Sequence, residues 1–129
     1  MEYQNSNAKT LVYVGLLAVL LTGGIGAAQE VVDDSARKFT APEIKAALEA
    51  VGMELNDPYS AKFSRLFRGI NPRVVCGYVN GKNLYGAYVG NTLFYYDGGN
   101  NKATIVQDES RAVLDFYKTL SRIMCNLPE

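Results

Sequence analysis

Residues 75–90 read VCGYVNGKNLYGAYVG, a stretch of sheet-forming residues and glycines with one cysteine and no acidic residue. The Asn-Gly pair at 80–81 is one of the best short hairpin signals, because a type I′ turn requires positive φ at both central positions. The period of two on either side predicts that residues 73–79 pair with residues 82–90. The Gly-Asn pair at 90–91 then predicts a bulge or a bend, after which TLFYY continues the strand. This stretch therefore predicts an antiparallel sheet at the centre of the chain.

The sequence after the hairpin predicts one more strand and a helix. DGGNN at 97–101 is typical of a turn, and KATIVQ at 102–107 of the strand that follows it. Asp108 can cap a helix whose first turn contains Glu109, a favourable position for an acid. This helix would carry a wide apolar face that the sheet must cover, made of Val113, Phe116, Tyr117, Leu120, Ile123 and Met124.

The sequence before the hairpin predicts a short amphipathic helix with a well-defined start. Thr40 and Glu43 have the spacing of a capping box, and Pro42 lies in the first turn. Gly52 predicts the end of this helix. The apolar positions are the staple pair Phe39 and Ile44 and the stripe Ala47, Leu48 and Val51.

Residues 57–70 fit two interpretations. Asp57 can cap a helical turn that begins at Pro58. Beyond Phe63 the pattern suits either a longer helix or a strand, and we favour one helical turn followed by a strand near Arg65–Ile70.

Together these elements predict an α+β domain. We expect a small antiparallel sheet of about four strands, with an N-terminal and a C-terminal helix packed over one face. The two cysteines of the chain are Cys76, on the first hairpin strand, and Cys125, in the last helical turn. Because two thiols in an exported protein usually pair, we predict one disulfide between them.

The first 28 residues have the organisation of an export signal. A polar segment that ends at Lys9 precedes an apolar run, and residues 26–28 are small, as at a cleavage site. The apolar core at 11–21 is shorter than the roughly 20 residues of a membrane helix. We therefore interpret 1–28 as a cleaved signal peptide, 29–39 as a flexible leader and 40–129 as a single domain, periplasmic or secreted. An uncleaved N-terminal anchor is the alternative; after cleavage no membrane span would remain.

Charge is unevenly distributed although the formal net charge is zero. Residues 29–57 hold seven acidic side chains, whereas residues 58–96 hold none. One interpretation is a basic face for an anionic partner. The other, which we favour, is that the acidic N-terminal helix neutralises these charges or that they only keep the strands soluble. A neutral, exported chain without a long basic run is a poor candidate for binding nucleic acid. The basic residues of the acid-free segment are Lys62, Arg65, Arg68, Arg73 and Lys82.

The chain lacks the usual residues of an enzyme active site. It contains no histidine, the commonest general base, and two cysteines cannot complete a zinc site. Ser60 and Lys62 are two positions apart and would not face each other on a helical turn. Glu54 and Asp57 could form a carboxylate pair, but capping explains Asp57 better. We therefore expect no catalytic residues, no metal and no cofactor.

Tyrosines and asparagines are concentrated between residues 78 and 96. On a sheet they can bind sugars or peptides, because they combine a stacking face with fixed hydrogen bonds; cross-strand aromatic pairing is the structural alternative. Tyr88 shares a strand face with Gly86 and Gly90, which leaves either a slot for a ligand or room for the C-terminal helix. We favour the helix. The candidate ligand-binding residues are Tyr78, Lys82, Asn83, Tyr85 and Tyr88.

The segments LNDPYSAKF (55–63), VCGYVNGKNLYGAYVG (75–90) and LFYY (93–96) resemble a set of small exported proteobacterial proteins of unassigned function. Their shared pattern runs roughly D-P-x-S-A-x-F, then V-C-G-x-V-N-x-K-N-x-x-G-G-Y-x-G and an aromatic residue. The resemblance implies a periplasmic or lipoprotein-like module and no particular reaction. Ala87 replaces the second glycine of the pattern, and the absence of cysteine from residues 1–28 gives no lipobox.

The sequence thus favours an exported, non-enzymatic binding or accessory module of the periplasm or cell envelope, whose ligand would be an envelope protein, a polysaccharide or a peptide. A small secreted inhibitor of a lysozyme-type hydrolase, or an envelope-stress protein, is the second hypothesis. An enzyme of unknown type is the third, and the sequence leaves the oligomeric state open.

Overall fold

The computed structural model describes residues 29–107 and 111–128. The signal-peptide prediction for 1–28 and the caps predicted at 108 and 109 lie outside these residues. The elements, in chain order, are β1 (Glu30–Val31), a 3-10 turn (Asp34–Lys38), α1 (Ala41–Met53), β2 (Lys62–Arg68), β3 (Val74–Asn80), β4 (Thr92–Asp97), β5 (Lys102–Ile105) and α2 (Arg111–Cys125).

The strands form one sheet in the order β1-β2-β3-β4-β5. β1 pairs parallel to β2, and the remaining neighbours are antiparallel. The predicted α+β class is confirmed, with five strands rather than four. The structure also corrects the prediction that residues 29–39 lack regular structure: they supply β1 and the 3-10 turn, because their backbone extends the sheet beside β2.

Helix α1 begins at the predicted capping box. The Thr40 hydroxyl accepts from the Glu43 N–H at 3.4 Å, and the Thr40 N–H donates to the Glu43 carboxylate at 2.7 Å. The helix continues through Gly52 to Met53, so the predicted stop at Gly52 is wrong. Gly52 is instead buried beside Pro58, whose Cβ would lie 3.2 Å from a Cβ at position 52, so a larger residue here would be tightly packed.

The two helices cover opposite faces of the sheet, which corrects the prediction of one shared face. On the α1 face, Ala47 packs with Val75 and Tyr96. On the α2 face, Leu120 and Met124 pack against Cys76, Tyr95 and Val74. The physical reason is that β3 and β4 are apolar on both sides, as in VVC and FYY, so each face of the sheet needs a cover.

The predicted disulfide is confirmed. Cys76 on β3 is bonded to Cys125 in the last turn of α2, with the two Cα atoms 5.8 Å apart. The helix is further attached at its end, where the Ile70 N–H donates to the Met124 carbonyl at 2.7 Å. A Cβ at Gly69 would lie 2.3 Å from that carbonyl oxygen, so glycine allows this close approach. Together these contacts fix how α2 lies on the sheet.

Strand β2 starts at Lys62, so the helical turn and later strand predicted for residues 58–70 are only partly correct. The strand contains a bulge between Ser64 and Phe67, where Arg65 adopts a φ of 50°. The bulge frees backbone donors from the ladder. The Arg65 N–H donates to the Asp33 carboxylate at 2.7 Å, and the Leu66 N–H donates to the Ser35 hydroxyl at 2.9 Å. The 3-10 turn therefore stabilises the bulge.

The hairpin predicted around 80–81 is also wrong. Strand β3 pairs with β4 at 92–97, and not with residues 82–90. Pairing with β4 buries Phe94, Tyr95 and Tyr96 between the two helices, which removes far more apolar surface from water than the residues 82–90 could. The turn predicted at 97–101 does connect β4 to β5.

Candidate functional site

Residues 81–91, called here the tip loop, project from one end of the sheet between β3 and β4. Asn83 organises this loop. Its side-chain oxygen accepts from the N–H groups of Tyr85 at 3.0 Å and Ala87 at 3.1 Å. Its backbone carbonyl accepts from the Gly86 N–H at 3.0 Å, and its own N–H donates to the Ala87 carbonyl at 2.9 Å. Four hydrogen bonds around one residue give the loop a defined shape without regular pairing.

Two glycines set the path of the tip loop. Gly86 has a φ of 79° and Gly90 a φ of 96°, both in the region that side chains disfavour. A Cβ at either position would meet no atom within 4 Å. These glycines therefore serve the backbone conformation, and the favoured prediction that they make room for the C-terminal helix is wrong, because no atom of that helix lies within 4 Å of a Cβ at either position. The alternative, a slot for a ligand beside Tyr88, stays a prediction.

Tyr88 is held between the tip loop and the start of β2. Its hydroxyl donates to the Ser60 carbonyl at 2.9 Å. The ammonium of Lys62 lies 4.9 Å from the centre of its ring, and that of Lys82 lies 5.2 Å from it. Both distances are within the range of cation–π attraction. The ring thus holds two positive charges close together at the surface, where Lys62 is exposed and Lys82 and Tyr88 are partly so.

Asp57 lies beside these charges and caps the turn at 58–60. Its carboxylate accepts from the N–H groups of Tyr59 at 3.2 Å and Ser60 at 3.3 Å, and from the Ser60 hydroxyl at 2.6 Å. The hydrogen bond from the Ser60 hydroxyl is the main cause that holds the pKa of Asp57 below its usual value, and the positive charge of Lys82 adds to it. The predicted capping role of Asp57 is confirmed, although the segment forms a turn and not a helix.

The apex of the tip loop is apolar and exposed. Leu84 is 84% and Tyr85 is 94% accessible, and Val89 is also exposed nearby. The apex and the cluster of Lys62, Lys82 and Tyr88 together form what we call the tip surface. Exposed apolar side chains next to polar and charged groups are typical of sites where proteins interact.

The basic residues of the acid-free segment do not form one face. Arg68 pairs with Glu43 at 3.0 Å, which is the neutralisation by the N-terminal helix that the sequence favoured. The guanidinium of Arg65 lies 3.9 Å from the centre of the Tyr78 ring. Of the five, only Lys62 and Lys82 lie together at the tip surface.

An open groove of about 840 Å³ lies between the tip loop, the end of α1 and helix α2. Lys82 and Asn83 line it from the tip loop, Lys118 and Arg122 from α2, and Glu54 from the end of α1. Three cations against one carboxylate give its rim a net positive charge. Its apolar wall includes Leu55, Val79, Val89, Leu93, Ile105 and Leu127.

The structure thus brings together three of the five predicted ligand-binding residues. Lys82 and Tyr88 are in contact, Asn83 next to Lys82 orders the loop, and Tyr85 stands at the apex beyond them. Tyr78 is instead half-buried on β3 against Arg65.

Sequence reasoning missed two contributors to this site. Lys62 was visible among the basic residues of the acid-free segment, but only the fold places it on Tyr88. Leu84 could have been found from the sequence, because it is an apolar residue within a segment of turn-forming residues. Polar residues and glycine dominate turns, so an apolar side chain there indicates a contact.

Comparison of the chain with models of protein families, with curated proteins and with solved structures finds no match in any of the three. Among the helices of the described residues, none has the length and apolar character needed to cross a membrane.

Proposed function

We propose that this protein is an exported, non-enzymatic binding module of the cell envelope, and that the tip surface is its contact site for an envelope protein. The observation that carries the proposal is the apex of the tip loop, where Leu84 and Tyr85 stand almost fully exposed on a loop held by the Asn83 hydrogen bonds. Because these hydrogen bonds already order the backbone of the loop in the free protein, binding through Leu84 and Tyr85 costs less backbone entropy than it would on an unordered loop.

The charges beside the apex support a protein partner with an acidic patch. Lys62 and Lys82 lie within about 5 Å of the same ring centre, so their charges act together. Complementary charge at the edge of an interface steers the partner and fixes its orientation. An acidic rim around an apolar pocket on the partner would match this surface.

The disposition of the polar groups supports binding without catalysis. The Ser60 hydroxyl donates to the Asp57 carboxylate, and the Lys62 ammonium lies over Tyr88. A nucleophile needs a base that accepts its proton and is aimed at a reactive centre. Here the Asp57 carboxylate caps a turn by accepting hydrogen bonds from two backbone N–H groups, which makes it a weak base.

Two further observations support an envelope location. The disulfide between Cys76 and Cys125 is typical of proteins that fold in oxidising compartments. The second is the resemblance of residues 55–63, 75–90 and 93–96 to exported proteobacterial proteins.

The test is capture of partners from envelope extracts with immobilised protein. Leu84→Ala combined with Tyr85→Ala removes the apex, and Lys82→Ala combined with Asn83→Ala removes the neighbouring polar pair. Ile70→Ala is the matched control, because Ile70 is exposed and apolar but lies at the opposite end of β3. We expect a specific partner that the control retains and both double variants lose. Equal recovery by all variants would refute the tip surface as the contact site.

The rigid apex also favours a second function, inhibition of a lysozyme-type hydrolase. A protruding loop with a preset conformation can fill a substrate cleft, as a flat surface cannot. Added protein would then slow the digestion of isolated cell walls by such a hydrolase, and the double variant of Leu84 and Tyr85 would not. Unchanged digestion rates over a range of hydrolases would leave the binding module as the proposed function.

A further inference from the structure

The groove beside the tip loop receives cations from two elements. Lys82 lines it from the tip loop, and Lys118 and Arg122 line it from α2, where they are neighbours one helical turn apart. Glu54 lines it from the end of α1. Within residues 29–107 and 111–128, no ion pair involves any of the three cations. The groove therefore favours an occupant that carries negative charge.

Helix α2 lies on the sheet in an orientation that the sequence did not predict. Its buried side is that of Ser121 and Cys125, and Lys118 and Arg122 each precede one of them by three positions, so both cations border the sheet at the groove. Three apolar side chains that the sequence placed on the sheet are exposed instead, because the side of Cys125 faces β3 through the disulfide. The corrected residues are Val113, Phe116 and Ile123.

The groove also has an aliphatic wall. Its half-buried side chains come from four parts of the fold, with Leu55 after α1, Leu93 on β4, Ile105 on β5 and Leu127 after α2. Its volume of about 840 Å³ is within the range that is usual for ligand sites. Aliphatic groups of an occupant would be removed from water against this wall, which stabilises the bound state.

Amide side chains line the same groove. Asn56, Asn91 and Gln107 are exposed, and each amide carries both donors and an acceptor. An alkyl chain, such as that of a fatty acid, would remove these amides from water without offering a hydrogen bond, which costs free energy. A peptide main chain offers an N–H and a C=O at almost every residue and so matches them. The lining thus favours a peptide over a lipid.

We propose that the groove binds an extended peptide segment that carries acidic and aliphatic side chains, and that this segment belongs to the envelope protein that contacts the tip surface. This source for the segment rests on the proposed function. Lys82 and Val89 line the groove and also belong to the tip loop, so the groove is continuous with the tip surface. One partner can therefore contact the apex and fill the groove at the same time.

The test is selection from a library of random heptapeptides displayed on phage, with the full chain immobilised and its disulfide intact. We expect the selected sequences to be enriched in aspartate or glutamate together with leucine, isoleucine or valine. Fluorescence anisotropy then measures the affinity of a labelled selected peptide, which should fall as the salt concentration rises. Lys118→Glu combined with Arg122→Glu should weaken it by more than about tenfold, because two attractions become repulsions.

Lys102→Glu combined with Arg73→Glu is the matched control. It changes the net charge by the same amount at two exposed residues near the other end of the sheet, and it should leave the affinity unchanged. Absence of enrichment, enrichment of uncharged or basic sequences, or equal losses in the two double variants would overturn the proposal. Binding of laurate that depends on Lys118 and Arg122, with no peptide selected, would show that the groove takes a lipid anion instead.

The variants also separate this site from the contact at the apex. Leu84→Ala combined with Tyr85→Ala should bind the selected peptides as the wild type does, because neither side chain lines the groove. A failed selection, with capture of an envelope protein still dependent on Leu84 and Tyr85, would overturn the groove site alone. Peptides that bind the groove, with no envelope protein captured, would overturn the proposed function and the source of the segment.

Discussion

Asp33 is exposed, but its carboxylate connects two parts of the fold. Its carboxylate caps the 3-10 turn through the Ser35 N–H and also accepts from the Arg65 N–H in the bulge of β2. The hydrogen bond from the Ser35 hydroxyl is the main cause that lowers the pKa of Asp33, followed by the bond from the Arg65 backbone. One side chain thus joins the 3-10 turn to the bulge in the middle of β2.

Asp33→Ala should therefore destabilise the fold. The loss of the cap and of the partner for the Arg65 N–H should cost about 1 kcal/mol, the usual figure for a capping residue. Urea unfolding measures it. Asp34→Ala is the control, because Asp34 makes only an exposed ion pair with Arg37 at 3.2 Å and should cost close to nothing. Equal effects of the two variants would contradict the role given to Asp33.

Glu43 should make stability depend on pH. Its carboxylate forms two hydrogen bonds with Arg68 and one with Thr40, and the Arg68 bonds are the main cause that lowers its pKa from 4.5 to about 2. A carboxyl whose pKa falls on folding stabilises the fold above its unfolded pKa, and this contribution disappears as pH falls through the folded value.

The melting temperature should accordingly fall as pH decreases from about 4.5 to about 2. Glu43→Gln should lower the melting temperature at neutral pH and make this decline shallower. Glu49→Gln is the control, since Glu49 makes only an exposed contact with Lys45 at 3.8 Å. Parallel declines in wild type and Glu43→Gln would show that the pair with Arg68 contributes no pH dependence.

At the level of elements, the tip loop is where sequence and structure differ most. The Asn-Gly pair at 80–81 is a strong turn signal, but Gly81 is buried against Leu55 and the Asn80 side chain accepts from the Gly90 N–H at 3.0 Å. The reversal occurs instead at 83–86, where Asn83 and Gly86 also have turn chemistry. The sequence is compatible with a turn at 80–81 or at 83–86. The turn at 83–86 forms because it lets β3 pair with β4, which buries the aromatic residues of β4 between the two helices.

Asn83→Ala should loosen the tip loop without unfolding the domain. The variant removes the acceptor for the N–H groups of Tyr85 and Ala87, which lie in solvent-exposed backbone. Hydrogen exchange of these amides should accelerate, while the amides of β3 and the melting temperature stay nearly unchanged. Unaltered exchange at the tip would mean that Asn83 does not hold its shape.

The helices show what sequence periodicity predicts and what it does not. Their existence and the capping box at Thr40 followed from local pattern alone. The position of α2 on the opposite face from α1 did not, because it depends on the burial of β3 and β4 residues on both faces of the sheet. The candidate site has the same limit: Lys62 and Tyr88 are far apart in sequence and meet only through the pairing of β2 with β3.

For the whole molecule, the disulfide joins the sheet to helix α2. A staple between residues separated by 49 positions stabilises by roughly 4 kcal/mol in the chain-entropy model. The native protein should show no free thiol until it is reduced, and reduction should lower its melting temperature. Thiol titration before and after denaturation measures the first point. Two reactive thiols in the native protein would contradict the disulfide.

The central claim is that the tip surface contacts an envelope protein. The most direct measurement is site-specific photo-crosslinking in living cells, with a photoreactive amino acid introduced at position 85 in one strain and at position 70 in another. Both sites are exposed, and they lie at opposite ends of the sheet. We predict a discrete crosslinked adduct from position 85 and none from position 70. The same adducts from both positions, or none from position 85, would contradict the claim.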